Sequence, residues 1–374
     1  MMILYIMMGI GYMKRKITEI SIYEFFLCMF VILIHLLSEG ASGFPKWSVL
    51  SIIFYSVTRL TSFAVPAFIF TSALKLFYKY GDRSDFRYPA FVWDRLRKIY
   101  FPYLIWVVIY YLIYVFVFRF FDFDLMALGQ YILDGELSAQ FYFIILIIQF
   151  YLLMPVWMLI IRVRSLSFST IMVVLSLVVT ILCRMLIPDE NYVVKLFSSY
   201  MLFWTLGMYA GIHYESFLEF LHRSKYPIYI GWFVFAILHC VLSYMEYGGL
   251  YQYHLSAVIV VFFCLFSTFG FYIYIKGLTE TLENKGKGFL ISISMASYDI
   301  YLLHCLIITS VYELLTYSGV ENLLARFCIN TVVTYTLSIV WSVCQATFYQ
   351  NAAAKIKRNL TRRASQKARR KRYL

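Results

Sequence analysis

The sequence predicts an all-α membrane protein, a polytopic bundle of about ten transmembrane helices. Hydrophobic residues make up 62% of the chain and charged residues only 14%, a balance foreign to soluble globular proteins. Apolar windows of about 19 residues, enough to cross roughly 30 Å of hydrocarbon at 1.5 Å per residue, recur along the whole length. Basic residues gather on alternate connections between those windows, as membrane topology requires. An aromatic content of 20% fits the same class, since Trp and Tyr collect at headgroup level.

The expected spans cover 22–38, 50–76, 99–118, 140–161, 169–187, 196–212, 227–245, 254–275, 289–313 and 326–348. One side of the membrane then holds Lys14, Arg15 and Lys16, the connection from Lys79 to Lys98, Arg162 and Arg164, Arg223 and Lys225, Lys276, Lys285, Lys287 and the C-terminal tail. The other side has little beyond Lys46, Arg119, Arg184, Lys195 and Arg326, together with most of the acid-rich stretch Asp122 to Glu136 and the Asp189–Glu190 pair. The bias places both termini in the cytoplasm. An odd number of spans would destroy the alternation.

The first dozen residues are apolar but too short to span, and no positive region precedes them, so they do not read as a cleaved signal peptide. A start at Met13 would instead give a compact basic opening directly before the first helix. The tail after residue 348 is rich in Lys and Arg and lacks acids. Such a segment is expected to be disordered in water or to lie on anionic lipid, with partner binding as the other reading. The formal charge of +13 is concentrated in connections and tail, which argues for topology and against nucleic-acid binding. The seven cysteines lie in apolar runs with no CxxC pair or Cys/His ligand spacing, so they read as small buried hydrophobes, without a metal site or disulfide framework.

Ionisable groups inside spans are costly and mark either pairing or function. Glu24, His35, Arg59, Asp299 and His304 are such groups. With the topology above, His35, Arg59 and His304 fall in the outer half of the membrane and Asp299 nearer its middle. His35 reads as an interfacial side chain or as a general base. Glu39, four residues on and on the same helix face, is placed to orient its imidazole. Arg59 reads either as a partner of Glu39 in a hydrated groove or as the stabiliser of an oxyanion or an anionic acyl group. Arg95, Arg97 and Lys98, in a cytoplasmic connection, serve either as a topology signal or as ligands for the phosphates of a nucleotide-bearing donor.

Taken in order, these residues resemble the integral-membrane acyltransferases of acyltransferase family 3, and more closely its intercellular adhesion protein C group of poly-N-acetylglucosamine O-succinyltransferases. The matching features are His35 followed by Leu36 and Leu37; Arg59 ahead of the run Pro66 to Ser72, with Ala73 where glycine is common; and Arg95, Arg97 and Lys98 leading to Pro102. They continue with the aromatic helix from Phe141 to Pro155, a Leu206–Gly207 turn, and the run Ser297, Tyr298, Asp299, Tyr301, Leu302, His304. Glu24 stands eleven positions before His35 where the family carries a basic residue, so another cation compensates, donor preference differs, or catalysis is lost.

Spans and charge divide the chain into a cytoplasmic N-terminal segment over 1–21, a transmembrane domain over 22–348 and a basic tail over 349–374, and the resemblance, which covers roughly residues 14 to 310, makes that domain acyltransferase-like. It implies an acyl-CoA donor with no bound cofactor and a polysaccharide acceptor at the surface of a bacterial cell. Catalysis would fall to His35, Glu39 and Arg59, and donor binding to Arg95, Arg97 and Lys98. Tyr298, Asp299, Tyr301 and His304 would line the acceptor side or support it. Partners would be acyl-CoA, the polysaccharide, membrane lipid and the machinery that makes the polysaccharide. The competing readings are an exporter or export partner of a surface polysaccharide and a nonenzymatic assembly subunit.

Overall fold

The computed structural model describes residues 18–370 except 83–84, 164, 188, 251–253, 283–289, 292–293 and 295–296. Both candidate starts, Lys285, Lys287 and Arg164 lie outside the described residues. The described chain is helical, with no strand among its described residues. Eight helical stretches are long and apolar enough to cross a membrane, or nine with one bent pair. The chain is therefore a polytopic α-helical membrane protein.

Helix α1 (Thr18–Gly43) is the axis of the bundle and packs against α2 (Val49–Thr61), α3 (Ala64–Tyr80), α13 (His254–Thr281), α14 (Ser297–Tyr317) and α15 (Leu323–Arg370). The second span is interrupted between α2 and α3, where Ser62 N–H bonds to the Arg59 carbonyl at 3.2 Å. Pro66 explains the break, because its ring excludes an ordinary helical carbonyl four residues earlier. Arg59 thereby occupies a helix C-terminus, which favours a cation.

The third span joins α4 (Tyr88–Arg95) to α5 (Phe101–Phe116) through a π-turn, Leu96–Tyr100. Arg95, Arg97 and Lys98, expected in a connection, therefore stand on a helix. The wider turn again accommodates a proline, Pro102, by moving the carbonyl its ring would strike. After α6 (Leu125–Asp134) comes the bent pair α7 (Tyr142–Leu152) and α8 (Met154–Ile160), which turns by 51° just before Pro155.

The expected span over 196–212 is the one that falls short of membrane-crossing length. Following α9 (Leu166–Leu186), it consists of a 3-10 turn, Phe197–Tyr200, and the 12-residue α10 (Met201–Ile212). Gly207 is inside this helix rather than at a turn. A Cβ on Gly207 would lie 2.2 Å from the Phe70 carbonyl oxygen, and one on Gly211 2.5 Å from that of Leu74. Equal steps in the same direction show that α10 runs parallel to α3, at a backbone approach only glycine permits. A short interior helix thus preserves the alternation of direction. The surface helix α11 (Tyr214–Arg223) leads on to α12 (Lys225–Tyr247) and α13.

The last helix continues without interruption to Arg370, so the tail expected to be disordered in water or lipid-bound has a helical backbone. It lacks Gly and Pro, is rich in Ala, Lys and Arg, and extends a helix already nucleated. All seven cysteines are free. Cys28, Cys264 and Cys305 are buried, whereas Cys328 and Cys344 face outward from the bundle.

Candidate active site

Helices α1 and α14 bring His35 and His304 together, with ring centroids 5.3 Å apart and planes inclined by 39°. His304 is fully buried. Its Nδ1 lies 3.2 Å from the Ile300 carbonyl, which only accepts, so Nδ1 carries the proton and Nε2 accepts from the Cys305 thiol at 3.3 Å. Both nitrogens of His304 are thus engaged. The His35 ring makes no hydrogen bond among the described residues and stands only partly buried, available to a substrate.

Tyr110 on α5 fixes this part of α14. Its hydroxyl donates to the Leu302 carbonyl at 2.8 Å and accepts from Leu306 N–H at 2.7 Å and Gln140 Nε2 at 2.9 Å. A side chain is thereby inserted into the backbone ladder on either side of His304. Tyr301 donates to the Gln140 carbonyl at 2.5 Å, tying the same turn to the chain before α7.

A basic cavity of about 460 Å³ lies toward the N-terminal end of α1, lined by Glu24, Lys75, Lys79, Arg95, Lys98, Tyr298 and Tyr301 among others. Lys75 pairs with Glu24 at 2.5 Å. Asp94 takes Arg95 at 2.7 Å and Lys98 at 2.6 Å. With four cations against Glu24 on its walls, the cavity keeps a positive excess. Arg97 is not on that wall and instead stacks over Trp93, 5.3 Å from the ring centre. The Tyr301 ring, in the cavity wall, lies 5.8 Å from that of His304. Tyr298, whose hydroxyl donates to the Ile99 carbonyl at 2.8 Å, and Tyr301 thus stand on the same side as the cations, not opposite them.

A second cavity, of about 520 Å³, opens beside Ile34 and holds Arg59, Arg184, His239, Glu246 and the rings of Tyr55, Tyr142, Tyr200 and Tyr247. Along α1 it lies about 15 Å from the Glu24 level, ten residues at 1.5 Å each. His35, the next residue along α1 and about 16 Å from the Glu24 level, lies at the depth of this second chamber. Arg59 donates to the Tyr55 hydroxyl at 2.7 Å, so neither Glu39 nor Asp299 is its partner. Asp299 is half-buried and forms no ion pair among the described residues.

Glu39 does not orient His35. Its Oε1 accepts from Arg326 Nε at 2.7 Å, and Arg326, only 6% exposed, also bonds to the Val320 carbonyl and the Thr316 hydroxyl. A buried guanidinium attracts a carboxylate more strongly than a neutral imidazole on the same helix face. Lys75, Arg184 and His239 carry the same signal as the chosen residues, an ionisable group inside an expected span, and belong to the two cavities. His35, His304 and Cys305 place their donor atoms within 4.8 Å of one another, a grouping that sequence spacing conceals. The set is of a kind that holds a transition metal, but His304 and Cys305 already satisfy each other.

The molecule is thus a multi-pass membrane protein with a histidine pair inside its bundle and two cation-lined chambers. Its class is membrane acyltransferase. The family model described as an acyltransferase domain matches residues 19–346, and the chain belongs to acyltransferase family 3. No curated protein and no solved structure matches it significantly.

Proposed function

We propose that the protein transfers an acyl group, acetyl or succinyl, from cytoplasmic acyl-CoA to a hydroxyl of a cell-surface polysaccharide, in the manner of the intercellular adhesion protein C group. The observation that supports this reading is the pairing of His35 with His304, whose ring stands 5.8 Å from that of Tyr301 in the wall of a basic chamber. The basic chamber suits the phosphates of the donor, with Lys75, Lys79, Arg95 and Lys98 as ligands. Lys75 supplies the compensating cation that Glu24 calls for. The charged nucleotide then stays at the cytoplasmic side while the pantetheine arm carries the thioester past Tyr301 toward His35.

His35 takes the proton of the acceptor hydroxyl as its oxygen attacks the thioester carbonyl. The tetrahedral oxyanion collapses, the C–S bond breaks, and the leaving CoA thiolate recovers the proton. His304, neutral and doubly hydrogen-bonded, acts as a positioning residue that holds the base by its ring face. The enzyme resides in the cell membrane of a bacterium with both termini in the cytoplasm, its tail against anionic lipid and its acceptor delivered by the polysaccharide-making machinery.

Mass spectrometry of the surface glycan from cells carrying His35→Ala tests the reading. Acyl groups disappear while the amount of exported glycan is unchanged. Full acylation in the variant rejects His35 as the base, and lost export with normal acylation supports the exporter instead.

A further inference from the structure

The chamber beside Ile34 contains more polar capacity than the rest of the bundle satisfies. Arg59 lies over the Tyr55 ring at 4.7 Å and Arg184 over that of Tyr200 at 5.3 Å. Stacking fixes each guanidinium plane while leaving its edge to bind. The Nε atoms of both arginines are buried without a partner among the described residues. His239 is 2% exposed; its Nδ1 meets the Ser243 hydroxyl at 3.2 Å, and its Nε2 is likewise buried and unpartnered. Both guanidiniums are near enough to act on His239 electrostatically. Orphan polar atoms each cost free energy in a low-dielectric interior, and here several of them converge on one chamber of ligand size.

The wall carries two guanidiniums against one carboxylate, that of Glu246. This leaves room for one negative charge, which favours a monoanion over a phosphate dianion. A guanidinium edge fits a planar carboxylate through two parallel hydrogen bonds. Ile34, Val65, Val193, Val194 and Val260 in the same wall offer apolar surface to the carbon skeleton that bears it.

We infer that this chamber is a carboxylate-binding site in which Arg59 and Arg184 hold the anion, supported by His239, one residue along α1 from the base. The inference deepens the proposed acyl transfer and rests on it for its role. The carboxylate belongs either to an acidic sugar of the acceptor or to the free end of a dicarboxylic acyl group.

The test is titration of the full chain in lipid nanodiscs with glucuronate, monomethyl succinate and glucose, followed by saturation-transfer NMR. At least one of the two anions binds tenfold or more tightly than glucose, and Arg184→Gln removes that advantage. Glu246→Gln strengthens anion binding a few-fold by withdrawing the competing charge, and it carries the test should Arg184→Gln fail to fold. Tighter binding of glucuronate assigns the carboxylate to the acceptor, and tighter binding of monomethyl succinate assigns it to the acyl group. Glucose binding as well as both anions overturns the inference. So does a folded Arg184→Gln variant with unchanged anion affinity, or a Glu246→Gln variant that gains none. Thioester cleavage by the wild-type protein is measured alongside: intact cleavage without anion binding sinks the site alone, and anion binding without cleavage sinks the acyl-transfer reading alone.

Discussion

Replacing Glu39 by glutamine separates a role in catalysis from a role in holding the bundle together. The carboxylate faces a guanidinium at 2.7 Å whose side chain is 8% exposed, while its own is 27% exposed. Loss of one member of a fully buried pair costs about 3–5 kcal/mol, because the other charge is left uncompensated. Arg326 retains the Val320 carbonyl, the Thr316 hydroxyl and the Tyr312 ring, 4.3 Å away, and Glu39 is partly solvated. The expected loss is therefore smaller, about 2 kcal/mol. Thermal unfolding of detergent-solubilised protein reads it as a lowered midpoint in Glu39→Gln and in Arg326→Gln. The double variant Glu39→Leu with Arg326→Met recovers much of the difference, since an apolar pair of similar volume removes both charges together. Turnover per folded molecule stays close to wild type. An unchanged midpoint with turnover reduced about 100-fold would overturn this account and return Glu39 to the task of orienting His35.

Three further outcomes follow from the same geometry. Lys75→Glu sets two carboxylates side by side in the basic chamber and raises the KM for acyl-CoA by about tenfold or more, the equivalent of at least ~1.4 kcal/mol, with kcat at saturating donor little altered; steady-state CoA release reads both. Arg95→Ala raises the same KM, whereas Arg97→Ala does not, because Arg97 lies against Trp93 outside the chamber wall. Gly207→Leu gives little folded protein by detergent size-exclusion, since its Cβ alone would come within 2.2 Å of the Phe70 carbonyl oxygen.

The helical class and most of the spans were legible in hydropathy, because the bilayer imposes a length and a composition that each segment must meet alone. His35 and His304 were legible for a related reason: a titratable group in an apolar helix stands out wherever it occurs. The partner of Glu39 was hidden because Arg326 is 287 positions away, while helix periodicity pointed to the nearer His35. The charge density around Arg95 reads as a connection, and only the π-turn before Pro102 reveals that the helix runs through it. The span over 196–212 satisfied the apolar window, but its tight seat on α3 depends on which backbone carbonyls meet Gly207 and Gly211. Lys75, Arg184 and His239 were readable by the same rule as His35 and gained meaning only when the cavities grouped them.

Three side chains of α1 are gripped by three different helices: Glu24 by Lys75 of α3, His35 against His304 of α14, and Glu39 by Arg326 of α15. They are spaced eleven and four residues apart, about 16 Å and 6 Å along the axis. Turning α1 by one residue, or sliding it by one turn, unmakes both ionic grips at once. The helix behaves as a pinned spindle, and the imidazole it carries keeps a constant depth in the bilayer. Any opening for the proposed thioester must therefore belong to the helices around it.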